Sequence, residues 1–138
     1  GAENLQSALQ TLQRCYSWKL RNLEPDATET LHTAGYLANT LRKLGRFSDS
    51  ARFYRDLIPR QRRVFGDEDR KTLESRWQLA IVHVCLGEID DAQTLRDAVL
   101  PVARRVLGPE NAITRSLQRQ RFLDPSYWAE QHAQVLSG

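Results

Sequence analysis

The chain has 138 residues, of which 41% are hydrophobic and 27% are charged, and its formal net charge is +3. This length and composition are typical of one soluble globular domain, and no apolar run is long enough to span a bilayer. The two cysteines are far apart in sequence, which argues against a disulfide framework. We therefore expect a reducing, cytoplasmic environment, no membrane insertion and no nucleic-acid partner.

The first predicted helix occupies residues 3–24, where apolar side chains recur at helical spacing. Leu5 and Tyr16 of this segment fall in register with Phe47 and Ile58 farther along the chain. The segment is therefore predicted to be the second helix of a preceding repeat.

Two helix pairs follow, and their sequences repeat one another. A shift of 42 residues, the separation of Leu31 from Leu73, aligns the two units without a gap. In each unit an apolar helix face ends at Leu-Gly, and a second amphipathic helix ends at another glycine. The predicted repeats span residues 28–66 and 70–108.

A proline lies at the equivalent point of each second helix, at Pro59 and Pro101. A proline inside a helix removes one backbone hydrogen bond and crowds the preceding turn. Both second helices are therefore expected to bend or break there.

The repeat pattern fails in the C-terminal part of the chain. Arg121 and Phe122 occupy the slots that a leucine and an alanine fill in the earlier units. Asp124 and Pro125 are typical of a helix start, with aspartate as the cap and proline in the first turn. Residues 111–138 are predicted to form a degenerate repeat and a C-terminal capping helix that covers the end of the stack.

The unit Thr-Leu-x5-Leu-Ala-x5-Leu-Gly, with a second helix ending in Arg-Val-Leu-Gly-Pro-Glu and a threonine, resembles the 42-residue tetratricopeptide repeats of kinesin light chains. The same type of repeat occurs in the sensor regions of many signalling ATPases. The resemblance implies an all-α fold, a right-handed α-solenoid of antiparallel helix pairs. This TPR-like superhelix would have five to seven helices in a single domain, residues 3–138. It also implies that a protein or peptide partner binds in a concave groove lined by the first helices.

In that family, a pair of asparagines just before the Leu-Ala often holds the backbone of a bound peptide. Those positions hold Gly35-Tyr36 and Trp77-Gln78 here. This chain therefore cannot hold a peptide backbone in the way that the family's asparagine pair does. Trp77 is followed by apolar residues at helical spacing, which leaves two alternatives. Its side chain either anchors a partner in the groove or packs against the neighbouring repeat. By register, the residues predicted to face the groove are His32, Tyr36, Asn39, Arg42, Lys43, Glu74, Trp77, Gln78 and Ile81.

Arginines also recur near the ends of the second helices, at Arg60, Arg63, Arg104 and Arg105. The helix dipole favours cations at a helix C-terminus, and acidic loops follow within a few residues. These arginines either pair internally or form a basic ridge for an acidic partner.

The sequence contains no phosphate-binding loop, metal-ligand spacing or nucleophile motif, so we predict no enzyme activity, cofactor or metal site. The predicted function is a non-catalytic protein–protein interaction module that binds a peptide, a helix or a neighbouring domain. One alternative is a permanent structural subunit of a large complex. Another is the sensor region of a signalling ATPase or a transcriptional regulator. An open end of the array near residue 3 is also expected to let copies of the chain associate.

Overall fold

The structure, a computed structural model, describes residues 1–137, so Gly138 at the end of the predicted closing segment lies outside it. The part described is helical, which confirms the predicted all-α fold. None of the helices in this part is both long and apolar enough to cross a membrane. The helices are α1 (Ala2–Asn22), α2 (Thr28–Lys43), α3 (Phe47–Phe65), α4 (Arg70–Cys85), α5 (Ile89–Val106), α6 (Ala112–Gln118) and α7 (Pro125–Ser137).

Contacts between the helices divide the stack into an inner and an outer layer. Each helix from α1 to α5 packs against the next, and α4 also touches both α2 and α6. Within residues 1–137, no Cα atom of α3 lies within 8 Å of one in α1 or α5, although the Tyr16 ring of α1 meets the Phe53 ring of α3 with centroids 5.7 Å apart. Because the backbones of alternate helices in this part of the chain come close only on the side of α2, α4 and α6, that side is the concave face of the solenoid.

Tight turns join the two helices of each repeat. After α2, the Arg46 N–H donates to the carbonyl of Leu41 and the Gly45 N–H donates to that of Arg42, both over 2.9 Å. Gly45 has a φ of +79°, which glycine adopts without steric strain. The same turn follows α4 at Gly87. The Leu-Gly pairs therefore end the first helices, as predicted.

Three packed clusters form the core along the stack. The first joins Leu9 of α1 to α2, and the second joins α2 and α3 to α4 around Tyr54. The third joins α4 and α5 to the C-terminal segment around Phe122. The ring of Phe122 is fully buried and meets Trp128 edge to face, with centroids 5.6 Å apart. A buried aromatic pair thus anchors the irregular segment between α6 and α7.

The prolines do not break the second helices. Helix α3 continues through Pro59 and α5 continues through Pro101. Both prolines are exposed, so the carbonyl groups that lose a backbone partner lie on the solvent side of the helices. Of the two predicted effects, the break is therefore wrong, and the bend stays a prediction.

The last helix does not continue the stack. In the described part of the chain, the backbone of α7 approaches the backbones of α4, α2 and α1 but not those of α5 and α6. Its start follows the predicted cap, because the Asp124 carboxylate accepts a 2.9 Å hydrogen bond from the Ser126 N–H. Trp128 and His132 are buried where α7 folds back. The capping helix therefore lies across the inner layer rather than over the end of the array.

Candidate functional site

Helix α7 divides the concave face into a covered part and an open part. In the covered part, Nε2 of His132 lies 3.2 Å from Nη1 of Arg42, in the last turn of α2. The His132 ring also meets the Phe47 ring edge-on, with centroids 5.1 Å apart. The first turns of α2 and α4 lie beyond these contacts and remain open.

The open part contains a cavity of about 70 Å³ between α2, α3 and α4. Tyr36 stands at its rim with 57% of its surface exposed. The ammonium group of Lys71 lies 5.9 Å from the centroid of that ring. The cavity is lined by Leu31, His32, Gly35, Tyr36, Asn39, Tyr54, Gln61, Lys71, Glu74, Ser75 and Gln78.

Five of the residues that the register predicted for the groove line this cavity. Two of them have fixed orientations: the His32 ring stacks on Phe65 with centroids 6.0 Å apart, and Asn39 Oδ1 accepts a hydrogen bond from Arg42 over 3.1 Å. The repeat register therefore predicted five side chains that line the same cavity. The five are His32, Tyr36, Asn39, Glu74 and Gln78.

The other four predicted groove residues lie elsewhere. Ile81 is 1% exposed and belongs to the core between α4 and the C-terminal segment, so its predicted place in the groove is wrong. Trp77 is half-buried against the same core, and its Nε1 donates a 2.9 Å hydrogen bond to Ser116 Oγ in α6. Arg42 lies under α7, and Lys43 is half-buried in the last turn of α2.

Two buried glutamines in the cavity wall have unused hydrogen-bonding capacity. Gln61 of α3 is 2% exposed and Gln78 of α4 is 7% exposed. Among residues 1–137, neither side-chain oxygen has a hydrogen-bond partner. Sequence reasoning missed Gln61, although one signal was present: this polar residue stands where the next repeat has the buried Ala103.

Tyr54 forms a buried part of the cavity wall, between two groups of opposite charge. Burial raises the pKa of Tyr54 well above its usual range, while Arg42 lowers it and Glu74 raises it. The phenol therefore keeps its proton at neutral pH and can donate a hydrogen bond. Burial also lowers the pKa of Arg42. The cavity is thus lined by neutral polar groups together with the ammonium group of Lys71 and the carboxylate of Glu74, both on α4.

The arginines of the predicted ridge already contact neighbours within the chain. Nη1 of Arg60 lies 2.7 Å from the Asp26 carboxylate, and Nη2 of Arg63 lies 3.5 Å from the same group. Arg104 donates to the side chain of a glutamine in α6, and Arg105 pairs with a glutamate in the loop before α4. These contacts favour internal pairing over a free basic ridge.

A separate cluster brings three possible metal ligands together. His83, Glu88 and Asp91 each place one ligand atom within 4.8 Å of the others. However, His83 Nδ1 already lies 2.9 Å from Glu88 Oε1, and Nη2 of Arg55 lies 3.8 Å from the same oxygen. The hydrogen bond and the nearby guanidinium account for this arrangement without a metal.

Comparison with known proteins agrees with this architecture. Residues 30–70 match the family model described as tetratricopeptide repeat. This range holds α2 from its third residue onward, the whole of α3 and the loop that leads to α4. The chain as a whole is a TPR-like α-solenoid.

One solved structure extends the likeness over the whole TPR-like solenoid. The crystal structure of BtubC (BKLC) from P. vanneervenii matches 96% of this chain with a TM-score of 0.70 and 20% sequence identity. The match covers 53% of BtubC, so the chain spans about half the length of that protein. At this identity the likeness shows a shared fold. No curated protein matches the sequence significantly.

Proposed function

We propose that this TPR-like solenoid is a non-catalytic module that binds a protein or peptide segment in the open part of its groove. TPR domains generally bind proteins or peptides. Tyr36 is the observation that carries the proposal, because its ring remains 57% exposed above a polar cavity on the concave face. An aromatic ring beside a pocket is the kind of residue that dominates interface energies.

The helical framework supports this role through preorganisation. Tyr36 and Glu74 lie on α2 and α4, which contact each other directly and are each packed against α3. Side chains held on packed helices lose little freedom when a partner binds, so more of the contact energy remains as affinity. Because α7 covers the last turn of α2, the partner is expected to contact the part of this face around Tyr36 and Glu74.

Paired alanine variants test the proposal. Tyr36→Ala removes the exposed ring from the groove, and Trp18→Ala removes a ring of similar exposure, 53%, from the outer helix α1. A partner recovered from native lysate is then titrated against the wild type and both variants. We expect Tyr36→Ala to weaken binding about 30-fold, as for a hot-spot residue, and Trp18→Ala to bind as the wild type does. Circular dichroism checks that both variants keep their helicity.

Two results would contradict the proposal. Equal affinity of Tyr36→Ala and the wild type would place the interface outside the groove. A partner that stays bound at fixed stoichiometry in high salt, and does not exchange, would indicate a permanent structural subunit instead.

A further inference from the structure

Helix α7 is held against the inner layer by two buried side chains. Trp128 is 7% exposed and His132 is 8% exposed, whereas the other residues of Pro125–Ser137 are exposed or half-buried. Trp128 belongs to the first half of the helix, where its Nε1 donates a 2.6 Å hydrogen bond to the Phe122 carbonyl. The attachment of the second half, residues 132–137, therefore depends mainly on His132.

The hydrogen bonds of His132 determine which nitrogen of its ring carries the proton. Nδ1 lies 2.7 Å from the carbonyl oxygen of Trp128, which can only accept, so Nδ1 donates. Nε2 lies 3.2 Å from Nη1 of Arg42, which can only donate, so Nε2 accepts. The neutral ring satisfies both contacts. A second proton would enter at Nε2, and the hydrogen bond from Arg42 would be lost.

The surroundings of His132 disfavour its charged form. Burial is the main reason why the pKa of His132 lies below its ordinary 6.5; backbone hydrogen bonds at Trp128 and Arg42 oppose this shift, and the charge of Arg42 adds to it. Of the other helices beside the ring, α3 presents the uncharged Phe47. Near Arg42, α4 presents the thiol of Cys85, whose pKa burial raises to about 11, so it stays neutral. Within residues 1–137, neither α1 nor α4 supplies a group that shifts the pKa of His132.

Release of the second half of α7 removes this burial. A hydrated imidazole titrates near its ordinary pKa, so the released form binds a proton more readily than the attached form does. The packing at this place is also incomplete, since Arg42, Gln131 and Val135 line a cleft of about 330 Å³. So short a segment is not stable as an isolated helix, and its backbone hydrogen bonds should therefore break on release.

We infer that residues 132–137 form a pH-sensitive flap, which neutral His132 holds closed over the last turn of α2 and which opens when His132 is protonated. Opening exposes the side chains of Arg42 and Phe47. Arg42 also donates a 3.1 Å hydrogen bond to Asn39, which lines the open cavity, so the exposed surface continues the open part of the groove. Acidification should therefore lengthen the groove, a consequence that rests on the proposed function.

NMR on the 15N-labelled chain alone tests both the closed state and its opening. Long-range 1H–15N spectra at about pH 7.5 should show a neutral His132 with its proton on Nδ1. Amide hydrogen exchange is then compared at about pH 7.5 and about pH 5.5, on either side of the ordinary histidine pKa, in the wild type and two variants. His132→Gln removes the titrating ring. His32→Gln is the matched control, because His32 stacks on Phe65 near the other end of α2.

The intrinsic pH dependence of exchange cancels when the proteins are compared at the same pH. On acidification, the protection of amides 132–137 should fall about tenfold further in the wild type and in His32→Gln than in His132→Gln. This factor corresponds to the loss of one hydrogen bond to a charged group. The amides of α4 should keep their protection. If His132→Gln is unstable, His132→Leu gives the same comparison, since leucine is apolar and cannot be protonated.

Three results would overturn the inference. They are an equal loss of protection in the wild type and His132→Gln, a neutral His132 with its proton on Nε2, and a simultaneous loss of protection in α2, α3 and α4, which would indicate global unfolding. The measurement needs no partner, so its failure leaves the proposed function standing. Equal partner affinity of Tyr36→Ala and the wild type would in turn leave the flap standing.

Discussion

Replacing Trp77 with alanine tests whether its indole stabilises the stack or anchors a partner. The side chain is half-buried against the core between α4 and the C-terminal segment, and it donates a hydrogen bond to Ser116. Truncating a fully buried tryptophan costs about 3–5 kcal/mol, so we take about 2 kcal/mol for this partial burial. Loss of the hydrogen bond to Ser116, which is 7% exposed, adds about 1 kcal/mol. The free energy of unfolding should therefore fall by about 3 kcal/mol.

Urea unfolding followed by far-ultraviolet circular dichroism measures this loss. A slope of about 1–3 kcal/mol per molar urea converts it into a midpoint that is lower by about 1–3 M. Trp18→Ala is the matched control, because the same substitution is made at a side chain that is 53% exposed. The control should change stability by less than about 0.5 kcal/mol.

The reasoning would be refuted by equal urea midpoints for Trp77→Ala and Trp18→Ala. If Trp77→Ala also lost the partner while keeping its helicity, the tryptophan would be an anchor in the groove. A lowered midpoint with unchanged partner affinity after refolding would confirm the packing role.

Three further predictions concern single positions. Gly35→Ala should raise the free energy of unfolding by about 0.5–1 kcal/mol in urea titrations, because Gly35 lies inside α2 and an added Cβ meets its nearest neighbour at an ordinary 3.8 Å. Ellman's reagent should label the exposed Cys15 first, since burial raises the pKa of Cys85 to about 11 and leaves about one thiolate in a thousand at pH 8. Burial lowers the pKa of His132 from its ordinary 6.5, so the unfolded chain takes up that proton first. Its contribution to stability is therefore complete above pH 6.5 and falls as the pH drops below that value, and the thermal midpoint of His132→Gln should depend less on pH in this window.

The helix pairs could be predicted because their signals are local and occur twice. Asp69 accepts a hydrogen bond from the Lys71 N–H at the start of α4, and Asn111 accepts one from the Ile113 N–H at the start of α6. Together with the Leu-Gly turns, these caps fix where helices begin and end. Each depends on a few neighbouring residues, so one sequence is sufficient to find them.

The inner surface could be predicted only in part, because it depends on contacts between distant residues. Register pairs Ile81 with Asn39, yet Ile81 is buried and Asn39 lines the cavity. The difference arises because α4 is packed on several sides and partly covered by α7. The contact between Arg42 and His132 that helps hold α7 there joins residues 90 positions apart, and no periodic pattern reports such a contact. Gln61 was missed for a similar reason. Its place in the cavity wall depends on which residues of α2 and α4 lie beside it.

The position of α7 also affects how the chain folds. In a simple repeat stack each unit contacts only its neighbours, so an end can unfold while the remainder stays intact. Here the last helix touches α1, α2 and α4, which links the two ends of the chain through native contacts. Fraying of α1 or release of α7 therefore removes contacts from several repeats at once. This closure makes partly folded forms less favourable than in an open stack and favours unfolding as one cooperative unit.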